Sequence, residues 1–156
     1  MAKFLGIYGG TFDPIHLGHL TAASEVQKCL GLDEVRMVLS AKPPHRISPT
    51  LAAEERFSLL TLAVQGYPNL VADRSEMERS GPSYMVDTLF GFRQQSPTSS
   101  LVLILGMEAF NGLMSWDRWE EMINLAHIVV TDRAGFDNQF NSKIEHYVAP
   151  FLTVDK

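Results

Sequence analysis

The stretch GIYGGTFDPIHLGHL, residues 6 to 20, brings together Gly9, Gly10, a Thr-Phe-Asp-Pro turn and the histidines His16 and His19. Glycines carry no Cβ, so the backbone at Gly9 and Gly10 can bend sharply and approach a ligand closely. A helix opening directly after such a turn presents unpaired amides and the positive end of its dipole, which is an anion site. His16 and His19 lie three apart, so their rings share one face of the first helical turn and add two donors beside those amides. The chemistry this suits is holding an anion such as a polyphosphate. Other readings stay open at this point. Two imidazoles at that spacing can bind zinc, although no third ligand is close in sequence. His19 can act as a general acid or base, although stabilising charge on a transferring phosphoryl group requires no proton transfer. The pair can also be purely structural.

These residues must be positioned by regular elements, and the sequence supplies them in alternation. KFLGIYG reads as a strand and HLGHLTAASEVQKCLGL as a helix, with Leu20, Ala23, Val26 and Leu30 on its apolar side and Gly31 as its stop. EVRMVLSA is a second strand, closed by KPPHR, and AAEERFSLLTLAV a second helix. A weaker strand at NLVADRSE, a helix over SYMVDTLFGFRQ, a strongly apolar strand SLVLILG, a helix around SWDRWEEMINLA and a strand HIVVTD follow. Alternation of this kind predicts a parallel sheet with helices on both faces. After Gly135 it is expected to stop, leaving one helix in the tail. The chemically interesting residues follow strands, and ligands of open parallel sheets bind outside the carboxyl ends of strands. Gly9 and Gly10, Lys42 to Arg46, Gly106 with Glu108, and Arg133 could therefore share one crevice.

A chain of 156 residues with 46% hydrophobic content fits one domain with one sizeable core. Its apolar runs are far shorter than the roughly 20 residues that cross a bilayer, so no membrane association is expected and a cytoplasmic protein is the simplest reading. Cys29 is the single cysteine, which excludes an intrachain disulfide and predicts a buried filler. The formal net charge of −5 argues against a general nucleic-acid surface. A phosphate ligand must then meet local cations, for which Lys42, His45, Arg46 and Arg133 are the candidates.

The string GGTFDPIHLGH resembles the signature of the nucleotidyltransferases with an H-x-G-H motif. KPPHR at 42 to 46, RSGPSYMVDTL at 79 to 89, LILGMEAFNGLMSWDRWEEM at 103 to 122 and AHIVVTDRAG at 126 to 135 narrow the resemblance to bacterial nicotinate mononucleotide adenylyltransferases. The resemblance implies a Rossmann-like nucleotidyltransferase fold in one domain spanning residues 1–156. It implies joining of the phosphate of nicotinic acid mononucleotide to the α-phosphorus of ATP, with release of pyrophosphate. His16 and His19 would contact the ATP phosphates. Gly9, Gly10, Thr11 and Phe12 would line the dinucleotide site through their backbone. Lys42, His45 and Arg46 would flank a phosphate. Trp116, followed by Asp117, would stack on the pyridine ring, and helix starts near Tyr84 and Trp116 would offer amides to the nicotinate carboxylate. Gly106, Glu108 and Arg133 are expected among the residues of the binding site, with the Glu108 carboxylate near a ribose. Magnesium would arrive with the triphosphate, with no protein ligand assigned to it. Ser83, Asp87 and Thr88 read as capping and packing residues. A homo-oligomer is left open.

The chain departs from the family pattern in three ways. Met85 stands where threonine is usual, and Glu108 stands where aspartate is usual. The helix opened by I-S-[SA]-[ST]-x-[IL]-R, with the strand before it, is not found after Arg133, which reads as a C-terminally shortened form of the fold. Two alternatives to the enzyme follow: a nucleotide-binding protein without turnover, and a related nucleotidyltransferase with another acceptor, such as nicotinamide mononucleotide.

Overall fold

The computed structural model describes residues 3–43, 48–131 and 152–154. Six strands are seen among them: β1 (Phe4–Gly10), β2 (Glu34–Leu39), β3 (Leu70–Asp73), β4 (Ser100–Gly106), β5 (His127–Thr131) and β6 (Leu152–Val154). They form one sheet in the order β3-β2-β1-β4-β5-β6, and every neighbouring pair is parallel. The intervening helices are α1 (Leu17–Leu30), α2 (Ala53–Ala63), α3 (Met85–Gln95), α4 (Met107–Asn111) and α5 (Trp119–Leu125), with short 3-10 turns at Val64–Gly66, Ser75–Met77 and Leu113–Ser115.

The alternation of side chains along the strands divides the core in two. Leu101, Leu103 and Leu105 of β4 pack with Val86, Leu89 and Phe92 of α3 and Met122 of α5 on one face. Val102 and Ile104 pack on the other with Leu20, Ala23 and Val26 of α1 and Leu60 of α2. A strand buried on both faces must be continuously apolar, which is why SLVLILG is so legible. The α1 helix ends at Gly31, whose φ of 64° and ψ of 38° are left-handed and whose amide bonds the Gln27 carbonyl, as a glycine stop requires. The order of successive strands reverses between β1 and β4, and that switch point opens a crevice at their carboxyl ends.

Four expectations are corrected. The tail does not end the sheet: β6 pairs with β5 in parallel register, Val129 opposite Thr153. The helix expected between Gly135 and this strand lies outside the described residues. The single helix expected around 115–126 is broken. Trp116 is extended, with φ of −78° and ψ of 147°, and Arg118, at φ of 49°, turns the chain into α5. Cys29 is exposed rather than buried, because it falls on the solvent side of α1 between the core positions Val26 and Leu30. The bend after β1 does not belong to Gly9 and Gly10. Both are strand residues, paired with Val38 and Leu39, and the left-handed residue is Phe12 at φ of 47°. No helix among the described residues is long and apolar enough to cross a membrane.

Candidate active site

A cavity of about 310 Å³ occupies the switch point. Its floor is made by the carboxyl ends of β1 and β4, at Gly9, Gly10 and Gly106, and its walls by the start of α3 at Tyr84 and Met85 and by the Trp116–Asp117 loop. Thr11 and Glu108 also line it. Nine residues expected at the binding site are thus brought to one cavity: Gly9, Gly10, Thr11, Tyr84, Met85, Gly106, Glu108, Trp116 and Asp117.

The glycines serve here by leaving room. A Cβ on Gly9 would stand 2.5 Å from Cε of Met85, and one on Gly10 would stand 2.7 Å from Cε1 of Phe12. Met85 therefore covers the end of β1 with a thioether. The Phe12 side chain is 2% exposed and belongs to the core that packs α1 and α2 on the sheet, and Phe12 is not among the residues that line the cavity.

His16 and His19 stand at the opening of α1 and are not among the residues that line the cavity. Their rings stack with centroids 3.7 Å apart, and the edge of His19 meets Phe12 at 5.1 Å. His16 occupies the N-cap position, and its backbone N–H donates to Nδ1 of His19 at 3.1 Å. An Nδ1 that accepts leaves the ring proton of neutral His19 on Nε2, so the bond fixes the tautomer and makes Nε2 the donor. Gly18 makes the stacking possible, because a Cβ there would lie 2.9 Å from Cε1 of His16.

A residue that the sequence reading passed over holds this region together. Arg56 of α2 is 1% exposed. Its guanidinium donates to the carbonyls of Leu51 at 3.0 Å, Thr11 at 2.8 Å, Ser40 at 2.9 Å and Ala41 at 3.3 Å. One side chain thus ties the turn after β1 to the end of β2 and to the approach to α2. Burial pulls its pKa down, opposed by the charge of Asp13. Asp13 accepts from the amides of Thr50 at 2.7 Å and Leu51 at 3.1 Å. The Thr50 amide is the main reason its carboxyl lies below its usual range, with partial burial opposing and the Leu51 amide and Arg56 adding to it. An arginine inside an amphipathic helix carries no local signal for such a position, which depends on carbonyls distant in sequence.

Glu76 was passed over as well, within the charged run DRSEMER. It lines the cavity and is 3% exposed. Thr88 of α3 donates to its Oε2 at 2.9 Å and accepts from Arg79 at 2.9 Å, while Arg79 also donates to the Tyr84 carbonyl at 3.3 Å. Burial pushes the Glu76 carboxyl up to about 7, against the Thr88 hydrogen bond and Arg79 and with some help from Asp73 and Asp87.

The residues read as caps do other work. Tyr84 is the N-cap of α3 with no side-chain cap. Ser83 instead binds the chain after β2: its hydroxyl accepts from the Lys42 amide at 3.1 Å and its amide donates to the Lys42 carbonyl at 3.0 Å. That backbone clip holds Lys42 next to Pro43, which lines the cavity, and the Lys42 side chain is exposed. Asp87 accepts from Arg118. The expected amide at Trp116 is not offered to a ligand, because it donates to the Leu113 carbonyl at 3.0 Å. His45, Arg46 and Arg133 lie outside the described residues. Among the described residues there is no group of three or more His, Cys, Asp or Glu side chains that could hold a metal ion.

A reversed parallel sheet with a switch-point cavity and with paired imidazoles at the start of its first helix is the architecture of a nucleotide-handling α/β protein, and the chain belongs to the cytidylyltransferase-like family, whose model matches residues 7–152. Within it, the chain is one of the nicotinate-nucleotide adenylyltransferases. It is 41% identical over 145 residues to the "Probable nicotinate-nucleotide adenylyltransferase" of Aeromonas hydrophila, covering 93% of this chain and 68% of that protein. It is 44% identical over 146 residues to the protein of the same name from Pseudomonas putida strain GB-1, covering 93% of this chain and 67% of that protein. The chain thus spans about two thirds of the length of these relatives. In fold it resembles the Plasmodium falciparum nicotinic acid mononucleotide adenylyltransferase complexed with NaAD, at a TM-score of 0.80 and 18% identity over 98% of this chain and 74% of that one.

Proposed function

We propose that this chain is a single nucleotidyltransferase domain that transfers the adenylyl group of ATP to nicotinic acid mononucleotide, giving the deamido dinucleotide and pyrophosphate. The observation that carries the proposal is the stacked His16–His19 pair at the opening of α1, the helix that follows β1, whose carboxyl end lines the switch-point cavity. In this reading a phosphate oxygen of the mononucleotide attacks the α-phosphorus of ATP while the bond to the β-phosphate oxygen breaks. The pyrophosphate leaves with the negative charge it has gained. No covalent intermediate is needed, so the protein's work is positioning and electrostatic stabilisation.

The residues divide that work by location. The amides at the opening of α1, with Nε2 of His19 and the His16 ring, would stabilise the charge that grows on the leaving group. Magnesium, as part of the nucleotide substrate, neutralises phosphate oxygens. Tyr84 and Met85 at the start of α3, with the half-buried ring of Trp116 across the cavity, would take the nicotinate end. Glu108 would reach the ribose, and Lys42, His45, Arg46 and Arg133 would supply cations for the phosphates. Incubation of the 156-residue chain with magnesium, ATP and nicotinic acid mononucleotide tests the reading by chromatography. Formation of the deamido dinucleotide with equal pyrophosphate is the expected result. Mononucleotide binding with no dinucleotide would favour the binding protein without turnover, and a dinucleotide from nicotinamide mononucleotide alone would change the acceptor.

A further inference from the structure

Two carboxyl groups that face a ligand cavity need not carry the same charge. Glu108 is exposed and Glu76 is buried, yet both line the cavity of the candidate site. The Oε2 atom of Glu76 is held by Thr88, while Oε1 has no hydrogen-bond partner among the described residues. Through Thr88 and Arg79 the same carboxyl is tied to the carbonyl of Tyr84, the residue that opens α3.

We infer that the ionisation of Glu76 sets how strongly the cavity prefers a carboxylate over a carboxamide on the pyridine ring of the mononucleotide, an inference that rests on the proposed function. With Glu76 protonated, the wall offers an O–H and adds no charge. With Glu76 ionised, a second negative charge faces the ring substituent in a poorly solvated space, where repulsion is weakly screened. A carboxamide is neutral and has N–H groups that an ionised carboxylate accepts, so it does not share the penalty.

The groups around Glu76 allow this titration near neutrality. Arg79, beside it in the chain, favours the ionised form; Asp73 at the end of β3 and Asp87 on α3 oppose it; burial outweighs them, so the carboxyl is pushed up to about 7. The two aspartates are themselves paired, Asp73 with Arg36 of β2 at 3.6 Å and Asp87 with Arg118 at 2.9 Å. Among the described residues, Tyr84, Glu108 and Asp117 are the remaining titratable groups that line the cavity. The expected amide at Trp116 is engaged with Leu113, which gives a side chain more weight in reading the ring substituent.

The test is the ratio of dissociation constants for nicotinic acid mononucleotide and nicotinamide mononucleotide, measured calorimetrically at pH 6, 7 and 8. The phosphate is common to both ligands, so its own titration cancels in the ratio. For the unmodified chain the ratio should shift by about tenfold toward nicotinamide mononucleotide between pH 6 and 8, and in Glu76→Gln it should be flat. A flat ratio in the unmodified chain, or an equal shift in Glu76→Gln, overturns the inference. The first arm needs no variant, so it decides even where Glu76→Gln does not fold. Binding of neither mononucleotide overturns the proposed function and this inference with it, an outcome distinct from a flat ratio.

Discussion

Arg118 donates from one guanidinium nitrogen to both carboxylate oxygens of Asp87, at 2.9 and 3.0 Å, and so ties the Trp116 loop to the first turn of α3. Those are the two walls of the cavity. Hydrogen bonds to Asp117 and Asp87 hold the guanidinium pKa above its usual value. Both partners are about two-fifths exposed, at 44% and 40%, so water screens the pair and it contributes little to stability. Asp87→Asn is expected to raise KM for the mononucleotide several-fold with a smaller change in kcat and little change in melting temperature. Steady-state kinetics with a thermal scan checks this, and a fall confined to kcat would reassign the pair.

The backbone at Arg118 offers a paired comparison. Its φ of 49° is left-handed, which costs a non-glycine residue about 1 kcal/mol or more. Arg118→Gly should therefore be at least as stable as Arg118→Ala by denaturant unfolding, although both lose the ion pair.

Gly18 links helix stability to the histidine pair. A Cβ there would stand 2.9 Å from the His16 ring, so Gly18→Ala should displace that ring from its stack on His19. The variant is expected to hold or raise the melting temperature, because alanine is the better helix former by up to about 1 kcal/mol, while turnover falls. His16→Ala and His19→Ala should each lower turnover by about 100-fold with the fold retained by circular dichroism. Near-normal turnover in either would remove the role proposed for the pair.

Arg56 has the largest expected effect on folding. Its loss would leave the carbonyls of Thr11, Ser40, Ala41 and Leu51 without their buried donor. Arg56→Met is expected to cost about 3–5 kcal/mol in urea unfolding. A loss below about 1 kcal/mol would mean that water replaces the guanidinium.

Glu76 makes stability depend on pH. Its carboxyl rises from an ordinary 4.5 to about 7 in the folded chain, so between those values the folded state holds a proton that the unfolded state releases. Stability therefore falls as pH rises through this window, by up to about 3 kcal/mol. Glu76→Gln should remove this fall and be relatively more stable at pH 8 than at pH 4. Unfolding free energies measured across that range decide it, and a parallel profile in the variant would contradict the burial argument.

The sequence by itself determined the strand–helix alternation, the parallel sheet and the end of β1 as the place for chemistry. Each depends on patterns within a few residues: the doubly buried run SLVLILG, the apolar spacing of α1, and two histidines one turn apart. Tertiary structure alone decided what those residues do. The space at Gly9 exists for Met85, and the left-handed turn falls to Phe12. Trp116 spends its amide on Leu113, while Ser83 clips Lys42 rather than capping a helix. Arg56 and Glu76 carried no signal because their roles depend on burial against carbonyls and hydroxyls that the sheet order brings from distant segments. Burial changes the charge of a group and the cost of leaving it unpaired, and burial is a property of the packed chain.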